Sequence, residues 1–346
     1  DWTQKRCIVK LMLLYRSTGD LFSFSLLIAT TIVANLCRDA VCLSQKYGIG
    51  KNIFEVSNKE SALSVFPHRK PPYLAVLTEP DATEETSAPI LELMMRDHLV
   101  DIISIRVNQP NAIHLKETNH PANSSSPDGR HEYDNSKIVR QQIEALALRI
   151  GTFRKENNIP CCIVINDVAN IDIALKCGDL IQGLHVKEKD MIHIATVRQK
   201  LMHGKYEANI SSESASAVKK IIPVLVGTSV HSIESAVNAA ECGADYMFVG
   251  TCFLTESHPE KTNADDLEGP LLPGLVRKNL NDLGYSHIPC IAIGGINAEN
   301  CNLPIEHGAD GVACIRSLLK DPKPPTIAAF MNNKIQKAYT NRTEKS

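Results

Sequence analysis

The sequence predicts an α/β protein built as one parallel (β/α)8 barrel, a TIM barrel, and three observations carry that expectation. From Pro71 onward, short apolar runs rich in β-branched residues alternate with longer amphipathic stretches, the rhythm of strand–helix units. Eight such runs occur, and each is apolar nearly throughout, as strands covered on both faces must be. The length of 346 residues also leaves room for a barrel of about 250 residues plus flanking segments. A doubly wound sheet shows the same alternation; the count of eight favours closure.

The elements follow in order. Residues 1–69 are read as an N-terminal segment and linker ahead of the barrel, which spans 70–340. Within that segment, Leu21–Cys37 is apolar but interrupted by Ser, Thr and Asn, and Lys5, Arg6, Lys10 and Arg16 precede it. A basic flank followed by a short apolar stretch predicts a targeting signal, with an organelle, a plastid first, as destination and the cytoplasm as the alternative. The eight apolar runs are Tyr73–Thr78, Ile102–Val107, Cys162–Asn166, Gly183–Val186, Val224–Thr228, Tyr246–Gly250, Cys290–Ile293 and Gly311–Ile315. Between them lie helical patterns such as Ser232–Cys242, with Ile233, Ala236, Val237 and Ala240 on one face and Gly243 as its stop. Residues 108–136 break the rhythm: they are polar and rich in Ser, Asn, Pro and Asp, and read either as an insertion without fixed structure or as a lid. A last helix is expected near Thr326–Tyr339.

Composition narrows the function classes. With 37 basic against 39 acidic residues and a net charge of −2, no basic field exists to attract nucleic acid. A single Trp and few aromatics argue against a base-stacking platform. No segment after residue 69 is apolar for long enough to span a membrane, so the mature barrel is expected to need none. The 11 cysteines form no CxxC pair and mostly sit in apolar runs, which reads as buried thiols. A homo-oligomer remains an open expectation.

Barrel chemistry collects at the C-terminal ends of strands. The residues there are Arg106, Asn166-Asp167, His185 with Asp190, Thr228-Ser229, Gly250-Thr251 followed by Thr255, Ser257 and His258, Gly294-Gly295, and Arg316-Ser317. Two aspartates one strand apart suit a hard divalent cation such as Mg2+, which takes one or two carboxylates and fills its remaining positions with water and phosphate oxygens. An arginine, several hydroxyls and a glycine pair before a helix add anion donors. The set reads as a site for phosphorylated substrates plus metal. Each member has an alternative use: Asp167 or Asp190 as a helix cap, the glycine pair as a tight turn.

The blocks LAVLTEPD, IVINDVANIDIALKCGDLIQGLHVKEKDM, VGTSVHSIESAVNAAECGADYMFVGTCFLTES and IPCIAIGGINAENCNLPIEHGADGVACI resemble, in order and over nearly the whole barrel, the thiamine phosphate synthase and TenI (thiazole tautomerase) superfamily. The resemblance implies a transferase that joins a hydroxymethylpyrimidine diphosphate to a thiazole phosphate, with Mg2+ as cofactor and small phosphorylated heterocycles as substrates. By its motifs, Asp167 and Asp190 are metal ligands, and Asn166 is the asparagine beside the first. Arg106 and Ser229 are the catalytic contacts to the diphosphate. Thr255, Ser257, Gly294 and Gly295 hold the thiazole phosphate, with Arg316 at the position of a phosphate-binding serine.

Departures are equally specific. The family's Q-x-R-x-K reads Ser104-Ile105-Arg106-Val107-Asn108, so its glutamine and lysine are replaced. The lysine after T-x-T is His258, and the glutamine of HLGQ-x-D is Glu188. The histidine that marks the tautomerase branch is Thr251, which exchanges no proton near neutral pH. His258 is then a substitute acid–base group, a phosphate ligand or an exposed residue. Three readings follow: a synthase with altered clamps, a TenI-type enzyme acting without diphosphate release, or a barrel that binds thiamine precursors without turnover.

Overall fold

The computed structural model describes residues 70–96, 99–107, 130–212 and 224–344. Residues 1–69, read as a targeting segment and linker, lie outside these residues, and so does most of the polar insertion. Eight parallel strands close in sequence order, β1 pairing with both β2 and β8. They are β1 (Tyr73–Leu77), β2 (Ile102–Ile105), β3 (Cys162–Asn166), β4 (Gly183–Val186), β5 (Leu225–Val230), β6 (Tyr246–Val249), β7 (Cys290–Ile293) and β8 (Gly311–Cys314). All eight coincide with the apolar runs, differing by one or two residues at their ends. The helices are α1 (Ala88–Met94), α2 (Arg130–Glu156), α3 (Ile171–Lys176), α4 (Ile194–Ser212), α5 (Ile233–Glu241), α6 (Leu272–Asp282), α7 (Asn302–Glu306), α8 (Arg316–Leu319) and α9 (Pro324–Thr343).

One boundary moves. Helix α2 begins at Arg130, so the last seven residues of the stretch read as insertion, 130–136, are helical. Their polarity masked the turn: a helix needs apolar residues only on the face it buries, and α2 buries Val139, Ile143, Leu146, Ala147 and Ile150 farther on.

Strand alternation produces two cores. Leu74 and Val76 point out, into the layer shared with the helices. Tyr73, Ala75 and Leu77 point in, joining Ile102, Val164, Leu225, Tyr246, Phe248 and Ile291 inside the barrel. The opposite rim is tied for stability. Asp101, Asp245 and Asp310 accept hydrogen bonds from the amides of Leu74, Val226 and Cys290 on neighbouring strands at 2.7, 2.6 and 3.0 Å. Arg198 and Arg277 neutralise the latter two aspartates at 2.7 and 3.0 Å. The eight described cysteines are all free thiols, seven of them buried; burial pushes Cys162, Cys252 and Cys314 up to about 12, which leaves them inert as nucleophiles.

Candidate active site

The site is built from the C-terminal rim, beginning with β2. Thr78, just past β1, accepts a hydrogen bond from Arg106 N at 2.7 Å and donates one to Arg106 O. This clamp fixes the backbone where Arg106 leaves the barrel. Burial lowers the Arg106 pKa, and the nearby charge of Arg316 lowers it further. No carboxylate pairs with the Arg106 guanidinium among the described residues. A half-buried, unpaired cation is costly to hold and marks a place where an anion is expected.

Ser229, on β5, is held from beneath. His185 lies inside the barrel, with Nε2 2.9 Å from Ser229 Oγ and Nδ1 3.0 Å from the Tyr246 hydroxyl. Phe248 stacks on its ring at 4.5 Å. Burial, and secondarily the charge of Arg106, lowers the His185 pKa to about 3, so the imidazole is neutral at physiological pH. Gly227 makes this chain possible: a Cβ there would lie 2.1 Å from the Tyr246 ring.

The two aspartates sit differently. Asp167 has a φ of +78°, a region that costs an L-residue on the order of 1–3 kcal/mol. Its side chain caps the next turn, accepting from Ala169 N at 3.1 Å, so the helix-cap use is real for this residue. Its other oxygen accepts from Lys187 Nζ. Burial pushes the Asp167 carboxyl up, but hydrogen bonds from Lys187 and the Ala169 amide, with the charges of Lys187 and Lys189, outweigh it and leave the pKa below the ordinary carboxylate value. Asp190 lies in the 3-10 turn Glu188–His193, which carries no side-chain cap. The donor chemistry fits a hard cation: two carboxylates from adjacent strand ends, with water and phosphate to complete the shell. No group of three or more His, Cys, Asp or Glu side chains converges among the described residues. Beside them, Asn166 Oδ1 accepts from Ser104, the residue standing where the resemblance expects glutamine.

Across the barrel mouth, three loops meet. Arg316 Nη1 reaches Ser257 Oγ at 3.5 Å, and its Nε lies 3.3 Å from Glu256 and 3.9 Å from Glu79. Ser257 N donates to Thr255 Oγ1 at 3.3 Å. Ser317 Oγ donates to Ile296 O at 2.8 Å, which ties the end of β8 to the loop after β7. Gly294 and Gly295 have φ of +99° and +64°. A Cβ on Gly295 would lie 2.4 Å from Leu254 O and 2.8 Å from Phe253 Cβ, so only glycine lets these loops close on each other.

His258 is not brought to this group. Its Nδ1 lies 2.9 Å from Glu260, and both side chains are exposed. Thr251 is buried, with its amide bonded to Glu268, which is itself held by Lys261 through both oxygens at 2.7 Å. Sequence reasoning missed Thr78, Lys187, Lys261, Glu268 and His231. His231 stands between Glu188 at 3.8 Å and Glu268 at 3.5 Å. Thr78, Lys187 and His231 lie inside the blocks that carry the resemblance, but their partners, like those of Lys261 and Glu268, are visible only once the strands are adjacent.

Residues 208–318 match the family described as thiamine monophosphate synthase. A thiamine-phosphate synthase from Geobacillus thermodenitrificans is 31% identical over 208 residues, 60% of this chain and 78% of that protein. This chain belongs to the thiamine-phosphate synthase family. A second member, from Geobacillus kaustophilus, is also 31% identical, over 57% of this chain and 73% of its own length. A solved thiamine phosphate pyrophosphorylase from Pyrococcus furiosus aligns at 18% identity and a TM-score of 0.49, over 77% of this chain and 96% of its own. Against the synthase family pattern, the rim of this chain keeps the arginine, both aspartates, the serine and the glycine pair. It differs in its ammonium groups: Lys187 occupies the glycine position of HLGQ-x-D, and His258, at the position of the lysine after T-x-T, pairs with Glu260.

Proposed function

We propose that this chain joins hydroxymethylpyrimidine diphosphate to thiazole phosphate, with release of diphosphate. The observation that carries the reading is a rim with two groups of anion donors of opposite construction. Arg106, Ser229 and the Asp167–Lys187 pair lie at the ends of β2 to β5. Ser257, Gly294, Gly295 and Arg316 lie at the ends of β6 to β8. Two phosphorylated substrates need two such sites, held within reach of one another.

In the reaction, the bond between the pyrimidine methylene carbon and the diphosphate oxygen breaks, and its electron pair leaves with the diphosphate. The thiazole nitrogen then donates its lone pair to the resulting carbocation. No side-chain nucleophile takes part; the demand on the protein is preorganised charge where the leaving group gains it. Arg106 supplies a half-buried guanidinium with no carboxylate partner among the described residues. Ser229 must donate its proton to a phosphate oxygen, which fixes the tautomer beneath it: Tyr246 donates to His185 Nδ1, and His185 Nε2–H donates to Ser229 Oγ. Asp167 and Asp190 would hold Mg2+, which when bound neutralises diphosphate charge. Arg316, Ser257 and the glycine pair hold the thiazole phosphate.

The test is turnover of the two phosphorylated precursors with Mg2+. Thiamine phosphate should form, and Asp167→Ala should abolish it; no product from the wild-type chain, or full activity in the variant, overturns the reading. The chain is further proposed to act in an organelle, a plastid first, on the strength of residues 1–69. A reporter fused to residues 1–65 that stays diffuse in the cytosol contradicts that address.

A further inference from the structure

Lys187 is an ammonium group on the diphosphate side that contacts Asp167 directly. It stands where HLGQ-x-D has glycine, at the first residue past β4. Its Nζ donates to Asp167 Oδ2, while Asp167 Oδ1 accepts from Ala169 N at 3.1 Å. Both oxygens of one candidate metal carboxylate are therefore engaged by the protein's own donors. The pair is loosely held, because the lysine side chain is 56% exposed and the aspartate 30%. Attraction between such groups is weak and screened, so it yields to a stronger partner. A diphosphate is that partner, with more charge and more acceptor oxygens than one carboxylate. Arg106 makes no competing claim on Asp167.

We propose that Lys187 is an exchangeable counterion: it neutralises Asp167 before substrate binds, then moves to the diphosphate and releases Asp167 Oδ2 to a divalent cation. The proposal rests on the synthase reading for the identity of the anion. It has two consequences. A divalent cation binds weakly to the chain alone, since the ammonium competes for its oxygen. Diphosphate, in contrast, keeps affinity for the chain without any divalent cation, because Lys187 and Arg106 both remain to hold it.

Two titrations of the full chain test this. Mn2+ binding is followed by electron paramagnetic resonance without diphosphate, and inorganic diphosphate binding is followed by calorimetry in EDTA. Lys187→Met keeps the apolar stem and removes the charge, and Lys187→Gly restores the family residue. Both change a side chain that lies mostly in solvent, and thermal melting verifies the fold. Mn2+ should bind about fivefold more tightly to either variant than to the wild type, and diphosphate in EDTA about tenfold more weakly. Equal Mn2+ affinity in wild type and Lys187→Met, or unchanged diphosphate affinity in EDTA, overturns the proposal. A failure of the synthase reading appears separately, as absence of thiamine phosphate from wild-type chain given both precursors, and neither titration depends on that result.

Discussion

The two halves of the barrel mouth hold charge in different ways. At the ends of β2 to β5, Arg106 has no carboxylate partner among the described residues, and the Lys187–Asp167 pair is partly exposed. At the ends of β6 to β8, the polar groups already hold one another: Arg316 with Ser257 and Glu256, Lys261 with Glu268, and Glu268 with the Thr251 amide. The first half is charged and waits for an anion. The second is wired in advance and needs its anion only to replace weak internal contacts. A group whose charge grows during the reaction gains most from the first arrangement, and a group whose charge stays constant is adequately served by the second. The leaving diphosphate belongs to the first class and the thiazole phosphate to the second.

Variants in the two halves should therefore differ in kind. Arg106→Ala is expected to lower kcat/KM by about 100- to 1,000-fold, mostly in kcat, in steady-state assays. The comparison breaks if the loss falls only in KM.

The next effect is on stability and arises beneath Ser229, in the first half. His185 has a pKa of about 3 in the folded chain, against roughly 6.5 unfolded. Between these values the unfolded chain binds a proton that the folded chain refuses, so stability falls as pH falls through that window. The loss should be about 3 kcal/mol between pH 7 and pH 4. Urea denaturation at both pH values measures it. His185→Gln should be less stable at pH 7 yet show a shallower pH dependence; an unchanged slope would mean that other groups carry the acid sensitivity.

Arg316→Ala is expected to raise KM for the thiazole phosphate about tenfold, with kcat nearly unchanged. A kcat loss as large as that of Arg106→Ala would erase the distinction between the halves. His258→Ala should change either constant less than twofold, since its ring pairs with exposed Glu260; a larger loss would return His258 to the site.

The contrast also explains what was legible in the sequence. All eight strands were, because strands buried on both faces write themselves as apolar runs. The strand-end residues Arg106, Asn166, Asp167, Ser229, Ser257 and Arg316 were too, because a parallel barrel puts every such end on one rim. Pairings across strands were not. Thr78 clamps Arg106 over 28 positions, and Tyr246 reaches His185 over 61. Nothing in spacing announces such contacts until the register brings β1 beside β2, and His185 on β4 across the interior from Tyr246 on β6. His258 stands in the β6 loop as read, and its pairing with Glu260, two residues on, is a contact that residue type alone does not announce. The start of α2 was hidden because its first turns, from Arg130, are polar.

The account stands most directly on simultaneous binding of two anions at separate halves of one rim. Calorimetric titration of the full chain with thiazole phosphate, in the presence and absence of saturating inorganic diphosphate, measures this. The predicted result is that both bind together, that Arg106→Ala weakens only diphosphate, and that Arg316→Ala weakens only thiazole phosphate. Mutual exclusion of the two ligands, or either variant weakening both equally, would contradict it.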